Sequence, residues 1–318
     1  MRIPVVSTIT SLIPAVERAL ARRGLPPVEL VPMSRSACED GEEAWSGARI
    51  ALADPGQVAG APLRTAASLE WLQSTWAGVN ALAGDGPYAF RCTKVSGCFG
   101  PLVAEHVFAY VLADARRLDA MRAAQRDACW AHAEFAETAM PLAGQTLGVL
   151  GGGDIGRHVA GVAKAFGLKT LAFARDGGGP RRNFDETTSD LDEVLRRGDV
   201  LVSALPSTPE TRGLLDGRFQ RCERRPLFFN VGRGDVVAEA EILRALEAGF
   251  LRGAVLDVFA DEPLAATSPL WRHACVTVTP HVAALSRPDD VADVFARNLE
   301  RFLEGGDLLY GVDWGKGY

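Results

Sequence analysis

Short apolar runs alternate with amphipathic stretches along the whole chain. Runs at 3–6, 28–31, 50–53, 69–74 and 92–95 have the length and composition of buried strands. Between the first two lies a helical pattern at 14–23, stopped by Gly24 and the Pro26-Pro27 pair. Residues 100–126 are periodic and apolar enough to predict one extended helix. The strand–helix alternation then restarts, with a strand at 146–150, a helix at 155–166 and a strand at 170–174. Further strands are expected at 200–205, 227–231, 253–258 and 276–279, and a last helix at 288–303. This rhythm predicts an α/β fold of parallel, doubly wound sheets with helices on both faces. The strands fall into two groups, one on each side of the 100–126 helix, and each group reads as a Rossmann-like domain. A chain that starts in the first domain, passes through the second and returns would account for the terminal helix.

A length of 318 residues suits two such domains. Apolar residues make up 47% and charged residues 23%, so the chain has enough apolar surface for two cores. With 34 Lys and Arg against 40 Asp and Glu, the net charge is −6, and no basic excess points to nucleic acid. No apolar run is long enough to span a bilayer, and the opening MRIPVVSTIT lacks the long apolar stretch of a secretory signal. Cys38, Cys92, Cys98, Cys129, Cys222 and Cys275 form no C-x-x-C pair, and no histidine sits at metal-ligand spacing from two of them, so no metal site is expected. They read as small buried apolar residues of a protein in a reducing cytoplasm.

Residues 151–156, Gly-Gly-Gly-Asp-Ile-Gly, fit G-x-G-x-x-G, and they follow a strand and open a helix, the context a dinucleotide-binding turn requires. Gly151 permits the tight turn, Gly153 lets backbone approach a pyrophosphate, and Gly156 lets strand and helix pack closely. The N–H groups of Asp154 and Ile155 then face the phosphates from the helix start. An ordinary glycine-rich turn is the bland alternative. At the end of the next strand an NAD site carries a carboxylate for the ribose; here the position is Ala174, followed by Arg175. A guanidinium without a carboxylate suits a 2′-phosphate, so NADP(H) is favoured over NAD(H), with Arg181 and Arg182 available from the same loop. The competing reading makes Asp176 a ribose ligand displaced by two residues, with NAD(H) as the cofactor.

Three further groups lie at or just after the late strands: Arg233 in NVGRG, Glu262 in LDVFADEP and His281 in TPH. Together with the glycine turn, LPSTPETRGLLD, NVGRGDVV, GAVLDVFADEPL and SPLWRH…TPHVAA, these motifs resemble the D-isomer-specific 2-hydroxyacid dehydrogenases over essentially the whole chain. WAGVN, SPLWRHACVTVTPHVAALSRP and the terminal Gly-Lys-Gly-Tyr are most similar to the glyoxylate/hydroxypyruvate reductase A branch. The resemblance implies a substrate-binding domain of 1–95 and 285–318, a dinucleotide-binding domain of 96–284, and an active site in the cleft between them. It implies NADPH-dependent reduction of small 2-keto acids to D-2-hydroxy acids. His281 is then the general acid, and the base in reverse, because imidazole alone titrates near neutral pH. Glu262 supports it, and Arg233 anchors the keto acid.

The family pattern further places Leu205, Pro206, Val231, Gly232 and Asp257 at the cofactor, Asp257 against the nicotinamide amide; Asp257 equally fits a residue that ties down a loop. Backbone N–H groups at Trp76, Ala77, Gly78 and Val79 are expected to receive the substrate carboxylate, with Arg233 and His281 beside it. Ala53 and Asp54, at a strand end, are expected to help line the pocket. Asn80 departs from the aspartate common in the family's A-G-V-D segment. The resemblance also makes the 100–126 helix a homodimer element, although its apolar content alone fits an internal core. Two rival functions stay open: the same fold acting on a bulkier 2-keto acid, and a cofactor-sensing regulator without catalysis.

Overall fold

The alternating pattern at the N-terminus folds into a parallel sheet in the computed structural model, which describes every residue except 40–44, 61–62, 64–65, 84–87, 176–178, 180 and 316–318. Its elements are β1 (Arg2–Val6), α1 (Leu12–Arg22), β2 (Glu29–Pro32), α2 (Arg35–Glu39), β3 (Ile50–Ala53), α3 (Pro55–Val58), β4 (Trp71–Ser74), α4 (Asn80–Ala83) and β5 (Arg91–Thr93). The strand order is β2-β1-β3-β4-β5, and every pairing is parallel. Residues of β3 and β4 are buried without exception, which is why those runs are continuous rather than alternating.

The second group comprises α5 (Phe99–Ala115), α6 (Leu118–Arg126), α7 (His132–Thr138), β6 (Thr146–Leu150), α8 (Asp154–Ala165), β7 (Lys169–Phe173), β8 (Glu186–Thr188), α9 (Leu191–Arg197), β9 (Val200–Ser203), β10 (Leu227–Asn230), α10 (Glu239–Glu247), β11 (Gly253–Leu256) and β12 (Val276–Val278). These strands form a second parallel sheet in the order β12-β11-β10-β9-β6-β7-β8. The last helix, α11 (Pro288–Leu303), returns to the first group. The chain thereby divides into two compact units, Met1–Cys98 with Leu285–Tyr318, and Phe99–Ala284.

In the first unit, α1 buries Leu12, Ala15, Val16, Ala19 and Leu20, the one-sided stripe its spacing dictates. It packs against α11, whose Phe295 and Phe302 stack on Trp71 of β4 with centroids 5.4 and 5.6 Å apart. Burying one such aromatic contributes about 1.5–3 kcal/mol, enough to make the C-terminal helix an integral part of this unit. In the second unit, α5 sends Val103, Val107, Phe108 and Val111 into the core beside Leu147, Val149, Val159 and Val202.

The single helix expected over 100–126 is two. The chain breaks at Arg117, whose φ of 54° lies in the left-handed region and ends the helical ladder. The apolar periodicity continues through the break, and no Gly or Pro marks it. α5 is a core helix, whereas α6 buries no residue at all. The cysteines divide similarly. Cys38, Cys92 and Cys222 are buried, but Cys129 and Cys275 are exposed, which corrects the uniform reading of small core residues. Burial pushes the Cys92 and Cys222 thiols up to about 12. No helix among the described residues is long and apolar enough to cross a membrane.

Candidate active site

In the second sheet the order reverses between β6 and β9, so the carboxyl ends of those strands flank the topological switch point where open α/β sheets bind ligands. The glycine turn sits there. Gly151 has φ +107°, and a Cβ on it would lie 3.0 Å from the Ala204 carbonyl. A Cβ on Gly156 would collide with the Gly151 carbonyl and come within 2.9 Å of Val149. Gly153, by contrast, faces open space and forms the N-cap of α8. Two glycines are therefore imposed by packing, and one leaves the helix start accessible. Asp154 and Ile155 begin the helix, whose length of 12 residues gives its N-terminus a full dipole.

Around the turn, Arg181 donates to the Gly152 carbonyl at 3.3 Å, and exposed Arg175 lies 4.0 Å from Glu210. Arg182 is exposed. Ala174 is buried, its N–H bonded to the Thr188 carbonyl. Asp176, the rival ribose ligand, lies outside the described residues, as do Gly177, Gly178 and Pro180 of the same loop and Lys316, Gly317 and Tyr318 of the terminal motif. Leu205 and Pro206 follow β9, and Gly232 presses on Leu205: a Cβ there would come 2.5 Å from its carbonyl oxygen. Val231 continues β10 through its N–H to the Ser203 carbonyl.

Arg233, Glu262 and His281 come together at the same edge. The Glu262 carboxylate accepts from the Phe259 N–H at 2.9 Å through one oxygen and meets His281 Nδ1 at 2.7 Å through the other. Arg233 follows β10 and donates to the Gly232 carbonyl at 2.7 Å. Burial draws its guanidinium below the ordinary arginine value, while the charges of Glu262 and Asp235 pull the other way. Glu262 thus acts on both other members of the set.

Supporting residues surround this set, and of them the sequence reading named Asp257 alone. Asn230, buried at the end of β10, donates to the Arg233 carbonyl at 2.9 Å and accepts from the Gly232 N–H at 3.3 Å, which shapes the arginine's turn. Asp257, 1% exposed, accepts from Thr279 Oγ1 at 2.6 Å, the Val282 N–H at 2.9 Å and the Ala283 N–H at 3.0 Å. Its carboxylate therefore ties down the turn that carries His281. His106 of α5 approaches Thr279 Oγ1 at 3.5 Å; burial lowers its pKa and the charge of Asp257 opposes the shift. No alternation or spacing marks Asn230, Thr279 or His106, because each acts through hydrogen bonds at a turn rather than through a periodic face. Among the described residues no group of His, Cys, Asp or Glu is placed to hold a metal ion.

In the first unit, the Trp76 N–H donates to Ser74 Oγ at 3.0 Å, and its carbonyl accepts from Val95. Trp76 is therefore committed to the loop, and its N–H is not open to a ligand. Ala77, Gly78 and Val79 donate to no protein acceptor among the described residues. Ala53 and Asp54 are fully buried and present no surface for a pocket. Asn80 begins α4.

Comparison with known proteins gives a consistent picture. Residues 108–283 match the family model described as D-isomer specific 2-hydroxyacid dehydrogenase, NAD binding domain. A glyoxylate/hydroxypyruvate reductase A from Photorhabdus laumondii is 34% identical over 218 residues, covering 67% of each chain. A crystal structure of a D-isomer specific 2-hydroxyacid dehydrogenase family protein from Aeromonas salmonicida is 38% identical, with a TM-score of 0.86 over 98% of this chain and 99% of that one. The NADPH-dependent glyoxylate/hydroxypyruvate reductase of Sinorhizobium meliloti, solved with NADP and sulfate, is 29% identical, with a TM-score of 0.83 over the full length of both chains.

Proposed function

The chain belongs to the D-isomer specific 2-hydroxyacid dehydrogenase family, whose members are NAD(P)-dependent oxidoreductases, and from this premise we propose that it reduces small 2-keto acids, glyoxylate and hydroxypyruvate by preference, with NADPH. The observation that carries this reading is the 2.7 Å contact between Glu262 and His281, with Arg233 electrostatically coupled to the same carboxylate. Reduction of a keto acid needs a proton for the carbonyl oxygen and a cation for the carboxylate, and this set supplies both.

Glu262 engages Nδ1 of His281 and so fixes the ring's tautomer and orientation, leaving Nε2 to exchange a proton with substrate. In reduction His281 delivers that proton to the carbonyl oxygen; in oxidation it removes it. Arg233 orients the acid through its carboxylate and offsets charge that builds on the oxygen. The N–H groups of Gly78 and Val79, next to each other in the 76–79 loop, are assigned to the carboxylate as well. The residues around the glycine turn fit a dinucleotide: open space at Gly153, the α8 N-terminus at Asp154 and Ile155, and Leu205 beside Gly151, with Pro206, Val231 and Gly232 just after β9 and β10. Bound there, NADPH supplies the hydride. Preference for the phosphorylated cofactor is supported by Arg175 and Arg181 near the turn, by the absence of a carboxylate at Ala174, and by NADP in the Sinorhizobium relative.

The test is a panel of glyoxylate, hydroxypyruvate and phenylpyruvate, each with NADPH and with NADH. Fast oxidation of NADPH by the two small acids is expected. A preference for NADH moves ribose recognition to Asp176, preference for phenylpyruvate names the bulkier-substrate enzyme, and cofactor binding with no turnover of any keto acid sinks the reductase reading.

We also propose a homodimer, with α6 and α7 in its interface. The groove between them is lined by Met121, Ala124, Cys129, Trp130, Phe135 and Ala139, and Trp130 is 92% exposed. An apolar groove with so exposed a tryptophan in its wall is the kind of contiguous patch that marks an interaction surface.

A further inference from the structure

The first sheet has its own switch point, between β1 and β3, where its order reverses. That crevice is the default ligand position in a fold of this kind, and here a buried carboxylate bridges it. Asp54, directly after β3, is fully buried. It accepts from Ser7 Oγ at 2.6 Å, the Thr8 N–H at 2.7 Å and Thr8 Oγ1 at 2.9 Å, all from the segment after β1. It also accepts from Thr75 Oγ1 at 2.5 Å, directly after β4. One side chain therefore ties the carboxyl ends of β1 and β4 to that of its own strand, β3, and its four hydrogen bonds offset the cost of burying it.

The bond to Thr75 carries this anchoring into the loop that follows. Thr75 also donates its N–H to the Ala53 carbonyl at 3.0 Å. The next residue, Trp76, lays its ring against the neighbouring segment, where a Cβ on Gly56 would be 3.1 Å from Cη2. Beyond it come Ala77, Gly78 and Val79, whose N–H groups donate to no protein acceptor among the described residues. Val79 is buried and accepts from the Leu82 N–H at 2.9 Å. These N–H groups thus lie in a segment held at Trp76 and at Val79.

We propose that Asp54 is a positioning residue for substrate, acting through Thr75 to hold the 76–79 loop in the conformation that receives a carboxylate. The proposal rests on the assignment of Gly78 and Val79 to the substrate carboxylate. A carboxylate that loses well-placed donors loses charge-assisted hydrogen bonds, each worth about tenfold or more in binding.

The experiment compares Asp54→Ala, Asp54→Asn and Thr75→Val in the full-length enzyme. For glyoxylate, Asp54→Ala is expected to raise KM by about tenfold or more with kcat within about threefold, while the Kd for NADPH is unchanged. Asp54→Asn keeps an acceptor for the Thr8 N–H, and the three hydroxyls can turn to meet its amide, so KM should return to within about threefold of wild type. Thr75→Val, which keeps shape and removes only the link to the loop, should follow Asp54→Ala and carries the test if that variant fails to fold. Oxalate binding by calorimetry, which needs no turnover, should weaken in parallel. Unchanged KM and oxalate affinity in the folded variants overturn the proposal. So does Asn no better than Ala, or a parallel loss of NADPH affinity. A wild-type enzyme that binds oxalate but turns over no keto acid overturns the reductase reading instead.

Discussion

His281 stands at φ +54°, in the left-handed region where a residue with a Cβ is rarely found unless its neighbours hold it. Its N–H donates to the Asp257 carbonyl at 2.9 Å, and the Asp257 carboxylate takes the next two N–H groups. Asp257→Asn replaces one acceptor oxygen with a donor facing an N–H. It should lower kcat by about tenfold through loss of this preorganisation, and NADPH fluorescence titration will show whether cofactor affinity stays within about twofold of wild type. Glu262→Gln presents an amide to Nδ1 and favours the wrong tautomer. A fall in kcat/KM of about a hundredfold is expected, read from initial rates with glyoxylate. The three residues at the centre of the site were legible because each sits in a dense local motif. Asn230, Thr279 and His106 were not, since their roles come from hydrogen bonds to turns, and a lone Asn, Thr or His in a sequence carries no such signal. Asp54 was noticed only by its place at a strand end, where nothing in the sequence told a pocket wall from a buried anchor.

At the scale of elements, runs such as 50–53, 146–150 and 288–303 coincide with the observed β3, β6 and α11, because continuous burial or a single amphipathic face leaves a clear period. The strand β8 is Glu-Thr-Thr at the sheet edge, polar and short, and an apolar-run search passes over it. The helix α9 has only seven residues, but a cap signal was present: Asp190 accepts from the N–H groups of Asp192 and Glu193, the pattern of a capping residue with Glu three positions on. The break at Arg117 had no counterpart in composition. Packing at the glycine turn gives a sharper test. In Gly156→Ala the new Cβ meets the Gly151 carbonyl, which is backbone and cannot move aside. The expected result is a destabilisation of about 1–3 kcal/mol in thermal or denaturant unfolding. NADPH affinity should fall by at least about tenfold, since each 1.4 kcal/mol of lost binding is a factor of ten.

For the whole molecule, the resemblance spread over nearly the full sequence is matched by solved relatives that align over at least 98% of the chain. The surface proposed for a homodimer coincides only in part with the helix expected to form it. The expected dimer element at 100–126 divides into a core helix and an exposed one, and the exposed Trp130 lies beyond both. Trp130→Asp places a charge in the proposed interface and should convert dimer to monomer in light scattering, with the fold retained by circular dichroism. A wild-type protein that is monomeric at micromolar concentration removes that proposal. The central claim is that His281 transfers the proton in an NADPH-linked reduction of small 2-keto acids. It is tested most directly by the initial rate of NADPH oxidation with glyoxylate at neutral pH, for wild type and His281→Ala side by side. Rapid oxidation by the wild type and a loss of at least about a hundredfold in kcat for the variant, with NADPH still bound, is the expected result. Equal rates in the two proteins would contradict it.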